Sequence, residues 1–216
     1  DIYNNIAMRL GGNIFIGVVG PVRTGKSTFI TKFVNGLILP NISDDLSKKI
    51  ALDEMPQSAD GKTVMTNQPK FIPSNAVRLE LSNKVFANVR LVDCVGYVFD
   101  EALGYKEGES VRMVKTPWFE DAIPFDEAAK IGTQKVISDH STIGVVVTTD
   151  GSVADIDRAN YVGAENEIIN ELVKLGKPFI VVVNSKDPTS ENTLKIVHDI
   201  ESKYNVPVLG LNVESL

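Results

Sequence analysis

Gly20-Pro21-Val22-Arg23-Thr24-Gly25-Lys26-Ser27-Thr28 stands between the apolar run Ile14-Phe15-Ile16-Gly17-Val18-Val19 and the helix-like Phe29-Ile30-Thr31-Lys32-Phe33-Val34. A glycine closing a strand lets the backbone turn tightly, so that the amides from Gly20 and Val22 through Thr28 can wrap a phosphate. A helix that starts at the same point aims the positive end of its dipole at that anion. Lys26 then reaches the β- and γ-phosphates, and Ser27 is placed to ligate Mg²⁺ through its hydroxyl. Strand, loop and helix in this order make the stretch a phosphate-binding loop rather than a turn between two core elements.

Such a loop works with an acidic group at the end of a neighbouring strand, which holds Mg²⁺ through water. Val89-Arg90-Leu91-Val92-Asp93 is an apolar strand ending in a carboxylate, and Asp93-Cys94-Val95-Gly96 completes an Asp-x-x-Gly pattern. The amide of Gly96 is positioned to sense a γ-phosphate. Upstream, Asp60-Gly61-Lys62-Thr63-Val64-Met65-Thr66-Asn67-Gln68-Pro69 is a polar stretch suited to a first switch loop. A threonine there can ligate Mg²⁺ and offer its amide to the γ-phosphate. Thr63 and Thr66 both qualify; Thr66 is favoured because Thr66-Asn67-Gln68-Pro69 resembles the Thr-x-x-Pro of dynamin-type switch loops.

The chain has 216 residues, 43% of them apolar, enough for one domain with a substantial core. Its formal charge is −6, with 22 basic residues dispersed along it, which argues against nucleic acid as the main partner. Cys94 is the single cysteine, so no internal disulfide can form. No apolar stretch reaches the roughly 20 residues that span a bilayer, and the first residues lack a signal-peptide pattern. A soluble cytoplasmic chain with no transmembrane segment is the expectation.

Apolar runs at 14–19, 76–81, 86–92, 143–147, 178–183 and 206–211 read as strands. Helical periodicity separates several of them. Residues 126–140 gather Ala129, Thr133, Val136, Ile137 and His140 on one face, residues 163–175 gather Ile168, Ile169, Leu172 and Leu175, and residues 190–204 follow a Ser190 cap. Strands alternating with helices predict a mostly parallel sheet with helices on both faces. The fold class is therefore α/β, a P-loop NTPase of the translation-factor or Ras-like GTPase type. One domain over residues 1–216 is expected, with long switch-region insertions near 40–70 and 97–125. The second insertion carries Tyr97, Phe99, Tyr105, Trp118, Phe119 and Phe125, and loops of that length within compact domains are commonly functional. Its aromatics predict an ordered flap, which can cover the nucleotide, meet another subunit or be tacked down by a satellite cluster. His140 and His198 have no partners at ligand spacing and receive no chemistry.

In Ras-like enzymes a glutamine after the Asp-x-x-Gly glycine orients the attacking water; here that residue is Tyr97, so another group must assist. Gly-Pro-Val-Arg-Thr-Gly-Lys-Ser resembles the loop of guanylate-binding proteins and atlastins, where an arginine at the Arg23 position serves as an internal finger. Arg23 is accordingly the candidate for stabilising charge on the transferring phosphoryl group. Guanine-specific relatives carry Asn-Lys-x-Asp after the fifth strand, whereas this chain has Asn184-Ser185-Lys186-Asp187, with the lysine displaced by one. Asn184, Lys186 and Asp187 are the candidate base-side residues, and by themselves they leave ATP and GTP both open.

A wider set of stretches carries a closer resemblance: the phosphate-binding loop, Met55-Pro56-Gln57-Ser58, Leu91 to Tyr97, Thr116-Pro117-Trp118, His140 to Val146 and Gly176-Lys177-Pro178-Phe179-Ile180. Together they resemble the amino-terminal ATPase domain of the stage IV sporulation protein A family across essentially the whole chain. The resemblance implies an ATPase using Mg²⁺, descended from GTPase-like ancestors, that self-associates into polymers on the outer forespore surface, on the mother-cell side, as the base of the spore coat. It also implies other coat proteins as partners, and a small amphipathic membrane peptide that binds further carboxyl-terminal parts. Asn67 stands where other members carry a second threonine, leaving Thr66 alone. Two competing readings are a dynamin-like or guanylate-binding-like GTPase that remodels membranes, and a binding module whose nucleotide is structural. Base identity and turnover discriminate the three.

Overall fold

The computed structural model describes residues 8, 11–56, 69–82, 84–99, 106–107 and 110–216. In chain order the main strands are β1 (Asn13–Val19), β2 (Lys70–Ser82), β3 (Val85–Asp93), β8 (Ile143–Thr149), β9 (Phe179–Asn184) and β10 (Val208–Leu211), in one sheet ordered β10-β9-β8-β1-β3-β2. All neighbours are parallel except β2 and β3, which are antiparallel. Helices α1 (Lys26–Phe33), α2 (Asp45–Asp53), α3 (Phe125–Lys135), α4 (Arg158–Leu175) and α5 (Glu191–Tyr204) occupy the connections.

The strands are nearly continuous apolar runs because both of their faces are covered. Alternate residues separate cleanly. Val18, Leu91, Val147 and Val182 pack with Phe29 and Ile30 of α1 and Ala51 of α2 on one face. Val19, Val92, Val146 and Val183 pack with Ile168, Ile169 and Leu172 of α4 and Ile200 of α5 on the other. The predicted mostly parallel sheet with helices on both faces is thus observed.

Three readings need adjustment. The strand expected at 76–81 begins at Lys70 and runs beside the end of β3, with a register irregularity between Ile72 and Val77 where Pro73, Ser74 and Asn75 interrupt the apolar pattern. The helix expected over 126–140 becomes one wide π-helical turn at Val136–His140 after α3, still burying Val136 and Ile137. Leu175 is 39% exposed at the last residue of α4, which ends at a left-handed Gly176.

The stretch 97–125 is only partly described. It contains two small antiparallel pairs, β4 (Lys106–Glu107) with β5 (Ser110–Val111), and β6 (Met113–Val114) with β7 (Ile123–Pro124). Phe125 is fully buried in a satellite cluster with Val22, Val95 and Ala129, which also takes in Val98, Phe99 and Val114. Trp118 lies against α3, so that a β-carbon added at Gly132 would sit 3.6 Å from its ring. Of the three roles open to the flap, Phe99, Trp118 and Phe125 are engaged in tacking it to the body of the domain, while Phe119 is exposed.

Candidate functional site

The loop between β1 and α1 is held from three sides. Its own side chains close it first: the Thr24 hydroxyl donates to the Pro21 carbonyl at 3.0 Å and Lys26 Nζ donates to the same oxygen at 2.7 Å. The segment after β3 is zipped to it by two backbone bonds, Tyr97 N to Gly20 O at 3.1 Å and Val22 N to Tyr97 O at 2.9 Å. From β9, the Asn184 side-chain amide donates to Thr24 O at 3.0 Å, while its Oδ1 accepts from Val213 N at 3.1 Å. Gly20, Asp93 and Asn184 therefore meet at the carboxyl ends of β1, β3 and β9, where ligands bind in open α/β sheets.

Two glycines make this closeness possible. Gly25 caps α1 in the left-handed region at φ 97°, and a β-carbon there would fall 2.3 Å from the Asn184 amide nitrogen. A β-carbon on Gly96 would lie 2.5 Å from Lys26 Nζ and 2.7 Å from Val22 N. The Asp-x-x-Gly glycine thus abuts the P-loop lysine itself.

Lys26 is buried, and burial lowers its pKa, although the neighbouring Cys94 and Asp93 act in the opposite direction. Asp93 is raised to about 6 by burial, with Lys26 and Lys70 partly offsetting the loss of water. A half-buried carboxyl with this deficit of positive charge is a fit place for a divalent cation. Ser27 and Thr28 lie in the first turn of α1, also half-buried. Thr63 and Thr66 fall outside the described residues.

Arg23 is exposed at the crest of the loop with φ 62°, unusual for a residue other than glycine. The fully buried Tyr161 of α4 reaches its carbonyl with a long hydroxyl contact of 3.5 Å and meets Phe99 edge to face at 5.1 Å. The first turns of α4 are fixed by Arg158, which grips the buried Glu165 with two bonds of 2.7 and 2.8 Å while Thr148 donates to the same carboxylate at 2.6 Å. Tyr97 is 2% exposed and packed among Val19, Val136 and Ile137, and burial raises its hydroxyl pKa. A ring turned into the core does not orient a water at the phosphate site.

At the base side, Lys186 and Asp187 are exposed. Asp187 Oδ1 accepts from the Thr189 amide at 3.1 Å and hydroxyl at 2.7 Å. Ser185, in the lysine's usual place, is fully buried and donates to Asp150 Oδ2 at 2.6 Å. Asp150 and its partners escaped the sequence reading. Their signal was the polar turn Thr149-Asp150-Gly151-Ser152 directly after a central apolar strand.

Comparison with known proteins agrees with this geometry. The family model described as stage IV sporulation protein A, ATPase domain, matches residues 1–216. Stage IV sporulation protein A of Bacillus subtilis (strain 168) is 53% identical over 216 residues, covering 100% of this chain and 44% of the relative. That of Clostridioides difficile (strain 630) is 54% identical over 213 residues, covering 99% and 43% respectively. The chain thus spans less than half the length of these relatives. Among solved structures, a probable GTP-binding protein engB superposes with a TM-score of 0.51 at 17% identity, covering 93% of this chain and 90% of that one. An SsGBP variant superposes at 0.50 with 13% identity, covering 99% and 54%. These likenesses establish the α/β P-loop NTPase fold. Matched by the family model over residues 1–216 and identical to these relatives at about half of its positions, the chain belongs to the stage IV sporulation protein A ATPase domain family.

Proposed function

We propose that this chain is one P-loop domain that binds and hydrolyses ATP with Mg²⁺, within a longer protein that polymerises at the forespore surface as the basement layer of the spore coat. The observation that carries the nucleotide chemistry is the junction of Lys26, Gly96, Asp93 and Asn184 at one edge of the sheet. Family membership supports the biological setting. The partners this reading implies are further copies of the same protein, other coat proteins, and a small amphipathic membrane peptide taken up by parts of the longer protein beyond this chain. Among the described residues no helix is long and apolar enough to cross a membrane.

In this reading the amides from Gly20 and Val22 through Thr28 hold the phosphates, and Lys26 turns from the Pro21 carbonyl to the β- and γ-oxygens. Gly96 offers its amide to the γ-phosphate. Ser27, Thr66 and Asp93 would hold Mg²⁺, which when bound would neutralise charge on the phosphate oxygens. Arg23 supplies the cation that meets charge developing on the transferring phosphoryl group. Thr66 orders the first switch loop, and Asn184, Lys186 and Asp187 border the base.

ATP is favoured over GTP on chemical grounds. Guanine is read by a carboxylate whose two oxygens accept two donors, and Asp187 already spends one oxygen on Thr189. Ser185 also points inward, so no aliphatic stem from that position covers the base. Displacement of a fluorescent nucleotide should show tighter binding of ATP. A GTP preference of about tenfold, about 1.4 kcal/mol, would instead favour a dynamin-like or guanylate-binding-like GTPase.

A further inference from the structure

One carboxylate at the end of β8 gathers more hydrogen bonds than any role in the phosphate site requires. Asp150 Oδ1 accepts from the Ser152 amide at 2.9 Å and the Ser152 hydroxyl at 2.6 Å. Its Oδ2 accepts from Ser185 Oγ at 2.6 Å and Thr193 Oγ1 at 2.9 Å. Three segments converge here: the turn after β8, the loop after β9 and the first turn of α5.

The direction of these bonds has a consequence. A serine hydroxyl has one proton and two lone pairs. Ser152 and Ser185 both direct their proton to Asp150, which turns their lone pairs outward. The Ser152 oxygen then accepts from the Lys186 amide at 2.9 Å, and the Ser185 oxygen accepts from the Asp187 amide at 3.0 Å. The two exposed residues of the base-side loop thus have their backbones fixed by hydroxyls that a single carboxylate orients. Burial works against the Asp150 charge, but the bonds from Ser152, Ser185 and Thr193 outweigh it and hold the carboxyl below the usual range. It is therefore an ionised acceptor at neutral pH, and hydrogen bonds to an ionised group are the strong ones.

We propose that Asp150 is the positioning residue of the base-binding loop, setting the affinity for the nucleoside part of the nucleotide through the Ser152–Lys186 and Ser185–Asp187 relays. The proposal rests on the reading that residues 184–187 border the base. Asp150 touches neither phosphate nor metal in it, so its effect is confined to ligands that carry a base.

The test compares ATP with inorganic tripolyphosphate, both with Mg²⁺, by isothermal titration of wild type and Asp150→Asn. The amide of Asp150→Asn donates where one serine must also donate, so one relay reverses. ATP affinity should fall tenfold or more and the KM for ATP should rise in step, while tripolyphosphate affinity stays within twofold. Equal losses for both ligands would mean that Asp150 merely supports the fold, and no loss for either would mean that the relay does not shape the site; each outcome overturns the proposal. Wild-type protein that binds ATP no more tightly than tripolyphosphate would overturn the base-site reading itself and the proposal with it. Should Asp150→Asn fail to fold, Ser152→Ala removes one donor to Asp150 together with the acceptor of the Lys186 amide, leaves the Ser185 relay in place and carries the same comparison, with a loss of about threefold for ATP alone.

Discussion

Arg23 is the residue at which this loop departs furthest from a simple phosphate clamp, since it stands exposed in a backbone conformation that side chains rarely adopt. If its guanidinium meets charge that grows only during γ-phosphoryl transfer, Arg23→Ala lowers kcat and leaves ATP affinity nearly intact. Arginine fingers are worth about 10³ to 10⁵ in rate, so even a partial role exceeds tenfold at saturating ATP. Arg23→Lys keeps the charge but loses the planar fork and recovers only part of the rate. Steady-state kinetics of the two variants checks this, and wild-type kcat in Arg23→Ala contradicts it. Asp93 makes a different prediction, about pH. Its carboxyl rises from 3.8 to about 6 on folding, so between those values the folded chain binds more protons than the unfolded one and stability falls as pH rises. Urea unfolding without nucleotide should show Asp93→Asn gaining about 1–3 kcal/mol on wild type across that window and holding the gain above it. Parallel profiles for the two proteins would exclude the effect.

Among the elements, α4 carries the most consequential buried ion pair. Glu165 is 2% exposed and serves Arg158 and Thr148 together, so its removal leaves the Thr148 hydroxyl without its acceptor and Arg158 with only a 3.3 Å bond to Thr148 Oγ1. Glu165→Ala should cost about 3–5 kcal/mol in urea denaturation, and a cost under about 1 kcal/mol would show that water replaces the carboxylate. This pair was invisible in the sequence, where Arg158 and Glu165 are seven apart and Arg158 precedes the helix expected over 163–175. The strands and the phosphate loop were legible because both rest on local chemistry: apolar runs, a glycine turn and a helix start. Asp93, Gly96 and Asn184 were legible because their motifs fix a residue at a strand end. Asp150 and Tyr161 were not, since their importance comes from what the sheet order places beside them. The start of β2 was hidden for another reason, because Pro73, Ser74 and Asn75 break the alternation that marks a strand.

For the whole molecule, the sheet order brings the ends of β1, β3, β8 and β9 side by side, and every described residue assigned to nucleotide chemistry lies along that edge. The satellite cluster of Val22, Val95 and Phe125 joins the phosphate loop, the segment after β3 and the flap, so a displacement in one is felt by the others. The relatives are more than twice as long, and the proposed polymerisation concerns the longer protein; the proposed hydrolytic step is what this chain can be asked to perform alone. The direct measurement is release of inorganic phosphate from ATP with Mg²⁺ by wild type and Lys26→Ala. Lys26 contributes the compact cation of the loop, so wild type should turn over ATP and Lys26→Ala should lose at least a hundredfold, roughly 3 kcal/mol. Equal rates in the two proteins, or no turnover by either, would contradict the assignment of this edge as an ATP-hydrolysing site.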